Sequence, residues 1–231
     1  YPQKRGLSSE IVRRFGLGFD PEFNYGKWQA LIIPTGKSSY VARNVAPDAA
    51  KDKRIRKFGR SVVYNIEALR EKRSIFITEG EIDCLSIIEA GGAALALGSV
   101  ANVGRFLDYL DSHRDKWPEY PLLVSLDNDE RGEKSARDLM VELGRRGIRA
   151  RKVNISGSFK DPNEALVADR LSFIGAVRDA ENFEEDEQRR EQNEYLNSSV
   201  AGSMRMFLDE VEHNSGSPLM STGFPKLDYV L

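Results

Sequence analysis

The chain has 231 residues, 40% hydrophobic and 30% charged, with a formal net charge of −2; that suffices for one large domain or two small ones, and no apolar run nears the roughly 18 residues of a membrane span. One cysteine and two histidines exclude an internal disulfide and a Cys/His zinc cluster. No signal-peptide pattern opens the chain, so a cytoplasmic setting is expected, and a start at Tyr1 without Met suggests a piece of a longer protein.

In chain order, RGLSSEIVRRFGLGF (5–19) reads as a short helix. Ser8 or Ser9 caps it, Ile11, Val12 and Phe15 form its apolar face, and Gly16 and Gly18 end it. KWQALII and SYVARNV read as two strands joined by the turn PTGKS, and AAKDKRIRKFGRS (49–61) as a basic loop. Residues 1–75 carry 16 Lys/Arg against 7 Asp/Glu, which suggests a polyanion partner.

From Ser74 the pattern alternates. The strand-like runs SIFIT, AALAL, PLLVSL and ARKVNIS are separated by helical segments, among them EIDCLSIIEAG and EKSARDLMVELGRRG. Ala136, Leu139, Met140 and Leu143 recur at helical spacing, and KDPNEAL opens a further helix. This predicts an α/β fold, a mostly parallel sheet with helices on both faces, behind a small mixed α+β basic subdomain. The segment 178–198 is dense in charge, with 8 acidic residues against 2 Arg over 179–194, and reads as an exposed helix or linker. The expected divisions are 1–73, 74–170, 171–199 and 200–231.

In a parallel α/β sheet, ligands bind beyond the carboxyl ends of the strands. Glu79 follows SIFIT, and Asp127 and Asp129 follow PLLVSL in SLDNDERG. Residues i and i+2 of an extended chain point the same way, so the two aspartates can face one point. Three carboxylates at one edge suit Mg²⁺ or Mn²⁺ and phosphoryl or nucleotidyl transfer. Any one of them can equally cap the helix that follows; it is the convergence of three that favours a metal site. Gly80 and Gly132 are expected to let the backbone turn sharply beside them.

Two rival motifs fail. SLDNDERG has the aspartates and glycine of a calcium loop, but Arg131 stands at a ligand position and a strand precedes it. PTGKSS ends like a phosphate-binding loop, but Leu31 replaces the required glycine and no helix follows, so Lys37 is expected in an exposed hairpin turn. Cys84, on an apolar helix, reads as core.

TEGEIDCLS, LALGSV, LVSLDNDERGEKSARDLM and KDPNEAL together resemble the Toprim domain of DnaG-type primases, over residues 74–167. Toprim is shared with topoisomerases, recombination mediators and certain nucleases. QKRGLSSEIVRRFGLGF, YVARNV and KFGRSVVYNIEAL resemble the basic subdomain in front of the primase Toprim part, extending the resemblance to roughly residues 1–170. The wording TEGEIDCLS is similar to phage and mitochondrial primase-helicase fusions, and STGFPKLDYVL to the lead-in of a DnaB/RecA-type helicase domain.

The resemblance implies a primase catalytic core of phage or prophage type. Such a core uses Mg²⁺ or Mn²⁺ to make RNA primers from ribonucleoside triphosphates on single-stranded DNA, with a DnaB-like helicase fused in cis. Glu79 matches its glutamate that holds metal or acts as acid/base, Asp127 and Asp129 its metal-binding pair, and Asp161 a further acidic position near the metals whose other reading is a helix cap. Arg43 and Lys57 match basic positions near the nucleotide's phosphates, with Arg60 and Lys37 as further cations for nucleotide or DNA. The zinc module that usually precedes a primase core is not in this chain. DNA cleavage of the Toprim nuclease or topoisomerase type is one alternative, and a non-catalytic single-stranded-DNA-binding, helicase-loading module is another.

Overall fold

The structure, a computed structural model, describes residues 1–47, 49, 54–60, 62–182 and 200–213. The chain forms two compact units, Tyr1–Glu184 and Glu185–Leu231. In the second, the described residues form one helix, Val200–His213. The tail resembling a helicase lead-in lies outside the described residues.

The first unit opens with α1 (Ser9–Arg14), whose N-cap Ser8 accepts a hydrogen bond from the Ile11 N–H. The helix is shorter than the sequence predicts. Gly16 follows with φ of 62°, a left-handed conformation that stops it. Four antiparallel strands come next, in the order β1 (Gly18–Phe23), β2 (Trp28–Gly36), β3 (Ser39–Asn44) and β4 (Ile55–Phe58). The sequence predicts only the central two. β1 contains Pro21, tolerable on an edge strand, and its pairing with β2 shifts register between Asp20 and Phe23. At β4 the sequence predicts loop, because AAKDKRIRKFGRS (49–61) is polar and basic. It is a strand because β3 supplies its backbone partners, from Arg43↔Ile55 to Tyr40↔Phe58.

The second sheet is parallel, ordered β6 (Ala93–Ala96), β5 (Ile75–Thr78), β7 (Leu122–Val124), β8 (Ala150–Lys152). β5 is central and buried at every position, as expected of a strand covered on both faces. Helices α2 (Glu81–Glu89), α3 (Val103–Ser112), α4 (Glu130–Arg145) and α5 (Pro162–Ala168) complete the alternation. Phe76 and Leu123 pack with Leu85, Ile88 and Leu166 of α2 and α5 on one face. Ile75, Ile77 and Val124 pack with Phe106, Leu110, Leu139 and Leu143 of α3 and α4 on the other. Each such side chain contributes roughly 1.5–3 kcal/mol by its burial. The fold is therefore α/β with helices on both faces.

The two sheets share a core. Leu31, Ile33 and Val41 of the antiparallel sheet join the cluster that holds Phe76 and Leu85. Tyr64 pairs with Ala96 at the β6 edge through hydrogen bonds of 2.8 and 3.1 Å. Buried Asn163 is a third tie: its amide donates to the Arg5 carbonyl at 2.9 Å and to Ser86 Oγ at 2.8 Å, and accepts from Arg5 Nη1 at 2.8 Å. Residues 170–182 form a helix, α6, that seats Phe173 and Val177 in the same core. The described start of the charged segment is thus a packed element, and the rest of 183–199 lies outside the described residues. Cys84 is a buried free thiol within the core. Among the described residues no helix is long and apolar enough to cross a membrane.

Candidate active site

The carboxyl ends of β5 and β7 deliver acids to one edge. β5 ends at Thr78, whose hydroxyl donates to the Leu95 carbonyl at 3.2 Å and ties the strand end to β6. Glu79 follows, half-buried, and Gly80 caps α2. Beyond β7, Asp127 is largely buried, with 16% of its side chain exposed, and Asp129 is open. Asp127 Oδ2 lies 3.1 Å and Asp129 Oδ2 3.9 Å from one ammonium, Lys160 Nζ. The two aspartates therefore reach a common point, as their spacing suggests.

Asp129 has a second task. Its carboxylate accepts from the Gly132 N–H at 2.9 Å and caps α4. Asp161 likewise caps α5, accepting from the Glu164 N–H at 2.8 Å. Helix capping and membership of the acidic edge are compatible, because the fold aims both helix N-termini at that edge.

The acids act on one another electrostatically. Burial first, and then the Asp127 charge, raise the Glu79 carboxyl above its ordinary value, while Arg131 and the Val100 N–H pull it down. Burial raises Asp127 as well, assisted by Asp161 and Asp129 and opposed by Lys160. Lys160 is held protonated, first by its hydrogen bond to Asp127. The pair's two shifts differ in sense: the ammonium gains from the pairing, and the carboxylate loses more to burial and acidic neighbours than Lys160 returns.

One member went unread in the sequence. Asp83, in the first turn of α2, accepts from the Asn163 N–H at 3.4 Å. Burial, then Asp161 and Asp127, raise its carboxyl well above the ordinary range, and Arg43 opposes them. The available signal was the acid three residues past Gly80 in EGEID, which passes for ordinary first-turn charge. A carboxyl raised in the folded state favours the protonated fold, so the metal-free protein gains stability as pH falls through the raised value and loses it as pH rises. Asp83→Asn should melt above the wild type at neutral pH in a chelator, and the gap should close on acidification. Thermal melts across the acid-to-neutral range check this; a gap that widens toward acid would contradict it.

The glycines serve space, not turning. Gly80 is extended, with φ of −103°, and a Cβ there would sit 2.5 Å from Asp83 Oδ2. Gly132 lies inside α4, and its Cβ would meet the Asp127 carbonyl oxygen at 2.1 Å.

The antiparallel sheet sends cations toward the same edge. Arg43 on β3 acts on Asp83 electrostatically. Lys57 on β4 donates to the Gly98 carbonyl and lies 3.8 Å from Glu81 Oε1. Arg60 lines a small cleft with Lys57 and Glu81. Lys37 stands exposed in the β2–β3 turn.

Among the described residues, no three His, Cys, Asp or Glu side chains are already gathered to hold a metal ion. The donor set still suits one. The acids are hard oxygen donors whose charge is incompletely neutralised, and two of them already share a cation.

The parallel sheet carries the acidic edge at the carboxyl ends of its strands, and residues 76–166 match the Toprim-like family model. Solved structures extend the likeness along the chain, which shares the fold of primase RNA polymerase domains. The primase fragment of the bacteriophage T7 primase-helicase superposes with a TM-score of 0.58 at 18% identity, over 76% of this chain and 72% of that one. The RNA polymerase domain of Mycobacterium tuberculosis primase DnaG, in complex with double-stranded DNA, gives 0.60 at 18% identity, over 79% and 71%. A DnaG primase catalytic domain bound to single-stranded DNA gives 0.55 at 15% identity, over 78% and 72%. No curated protein matches the chain in sequence.

Proposed function

We propose that this chain is the catalytic core of a DNA primase of the phage primase-helicase kind, working in the cytoplasm on single-stranded DNA with a DnaB-like helicase in cis. The observation that carries the reading is the meeting of acids and cations at one edge. Glu79, Asp83, Asp127, Asp129 and Asp161 interact electrostatically, and Arg43 and Lys57 approach from the neighbouring sheet. The likeness in fold to a phage primase fragment and to a DnaG catalytic domain bound to single-stranded DNA supports it.

The reaction joins two ribonucleotides. The 3′ hydroxyl of one attacks the α-phosphate of the next, an ester bond forms, and pyrophosphate leaves with the electron pair of the broken anhydride. Glu79, Asp127 and Asp129, with Asp83 and Asp161 beside them, would hold Mg²⁺ or Mn²⁺. Such an ion would supply neutralisation of the phosphate charge during the transfer. Arg43, Lys57, Arg60 and Lys37 bind triphosphate and template phosphates, which makes binding fall as salt rises.

Incubation with labelled ribonucleotides, an unlabelled single-stranded template and Mg²⁺ or Mn²⁺ should give short labelled RNA. Labelled duplex DNA under the same conditions should remain uncut. Cleavage without incorporation would assign the edge to a nuclease. Template binding without either reaction would assign the chain to a helicase-loading role.

A further inference from the structure

We propose that Lys160 is a built-in counter-ion that holds the place of the divalent metal between Asp127 and Asp129, and that its ammonium moves to the substrate's phosphates when metal enters. The inference rests on the metal-dependent reading above and adds a residue that the motif comparison leaves without a role.

Lys160 Nζ stands 3.1 Å from Asp127 Oδ2 and 3.9 Å from Asp129 Oδ2. Among the described ion pairs it is the cation these two carboxylates share. An ammonium and a divalent ion seek the same oxygens, and the doubly charged ion gains more from two carboxylates than a single charge does. They cannot occupy one point together, so metal entry displaces the lysine.

The loop carrying Lys160 is fixed while its side chain is free to leave. Asn128, between the two aspartates, donates from its backbone N–H to the Lys160 carbonyl at 2.7 Å. Its side-chain amide donates to the carbonyls of Phe159 at 2.8 Å and Gly157 at 3.2 Å. The residue between the aspartates thereby pins the backbone of the KDPNE segment to the acidic edge. Beyond that anchor runs a flexible four-carbon stem, with 54% of the side chain exposed. Once displaced, the ammonium stays within a stem's length of the aspartates, close enough to meet the oxygens of a triphosphate that would be held there. A compact point charge on a flexible stem suits such a transfer better than a guanidinium.

The test uses the whole chain and Mn²⁺ alone, with binding read from the loss of the free-ion paramagnetic resonance signal at constant ionic strength. Lys160→Met should bind Mn²⁺ roughly two- to fivefold more tightly than the wild type, the scale of a half-exposed ion pair. Lys160→Arg should stay near the wild type. Arg131→Met, which removes a nearby charge that is not seated on the aspartates, should change the affinity less than twofold. With Mn²⁺ saturating, Lys160→Met should bind ATP about tenfold more weakly, a loss of one or two charge-assisted contacts. Unchanged or weaker Mn²⁺ binding by a folded Lys160→Met would overturn the counter-ion role. An equal gain in Arg131→Met would reduce it to long-range charge and overturn it too. Unchanged ATP affinity would overturn the transfer to phosphate. If wild type and Lys160→Met both leave Mn²⁺ free, the metal reading falls and takes this inference with it; if both bind it equally and Asp127→Asn does not, the inference alone falls.

Discussion

Asp127→Asn should lower primer synthesis by about a thousandfold or more, equivalent to roughly 4 kcal/mol of transition-state stabilisation, while the fold survives. Asp127 is the pivot of the acidic edge. It is the better buried of the two aspartates, it is closer to Lys160, and its charge raises both Glu79 and Asp83. The amide keeps the size and one oxygen of the carboxylate but removes the charge a metal needs. Because Asp127 sits among like charges at some cost, the variant should melt no lower than the wild type in a chelator. Single-turnover incorporation of labelled ribonucleotide, beside a melting curve, checks both halves. A folded variant with full activity would remove Asp127 from the site.

Gly132→Ala should be the most damaging single methyl at this edge, destabilising the chain by about 3 kcal/mol and reducing synthesis with it. The added carbon would meet the Asp127 oxygen at 2.1 Å, its carbonyl carbon at 3.0 Å and its nitrogen at 3.2 Å. All three are backbone atoms, so no side-chain rotation relieves the clash. Either the first turn of α4 lifts or the end of β7 moves, and each shifts Asp127 against Asp129. Gly144→Ala in the same helix is the control. Nothing lies within 4 Å of its Cβ, and alanine there should stabilise by up to about 1 kcal/mol through helix propensity. Denaturant titration of the two variants separates them by sign.

The contrast shows what the sequence could and could not convey. The central strands and the alternation after Ser74 were legible because SIFIT and PLLVSL each hold an unbroken apolar run, IFI and LLV, the mark of strands covered on both faces. Glu79, Asp127 and Asp129 were legible because a strand end in a parallel sheet is a known address for ligands. The edge strands β1 and β4 were not, since one carries a proline and the other is basic, and each is a strand through the backbone partners its neighbour, β2 or β3, supplies. Asp83 and Lys160 stayed hidden for a related reason. An acid in a helix's first turn and a lysine in a loop are commonplace locally, and only tertiary placement sets them beside Asp127. The role of Gly132 was misjudged because close approach leaves no trace in composition, whereas a turn does.

The shared core of the two sheets sets the terms on which this molecule can be divided. Leu31, Ile33 and Val41 bury against Phe76 and Leu85, and Asn163 closes on Arg5 and Ser86. A family boundary drawn at residue 76 therefore cuts through a continuous interior. A graft of the parallel-sheet half alone would arrive with bare hydrocarbon and an orphaned amide. Front and rear must be inherited together, and swaps between relatives should succeed only when the seam travels whole.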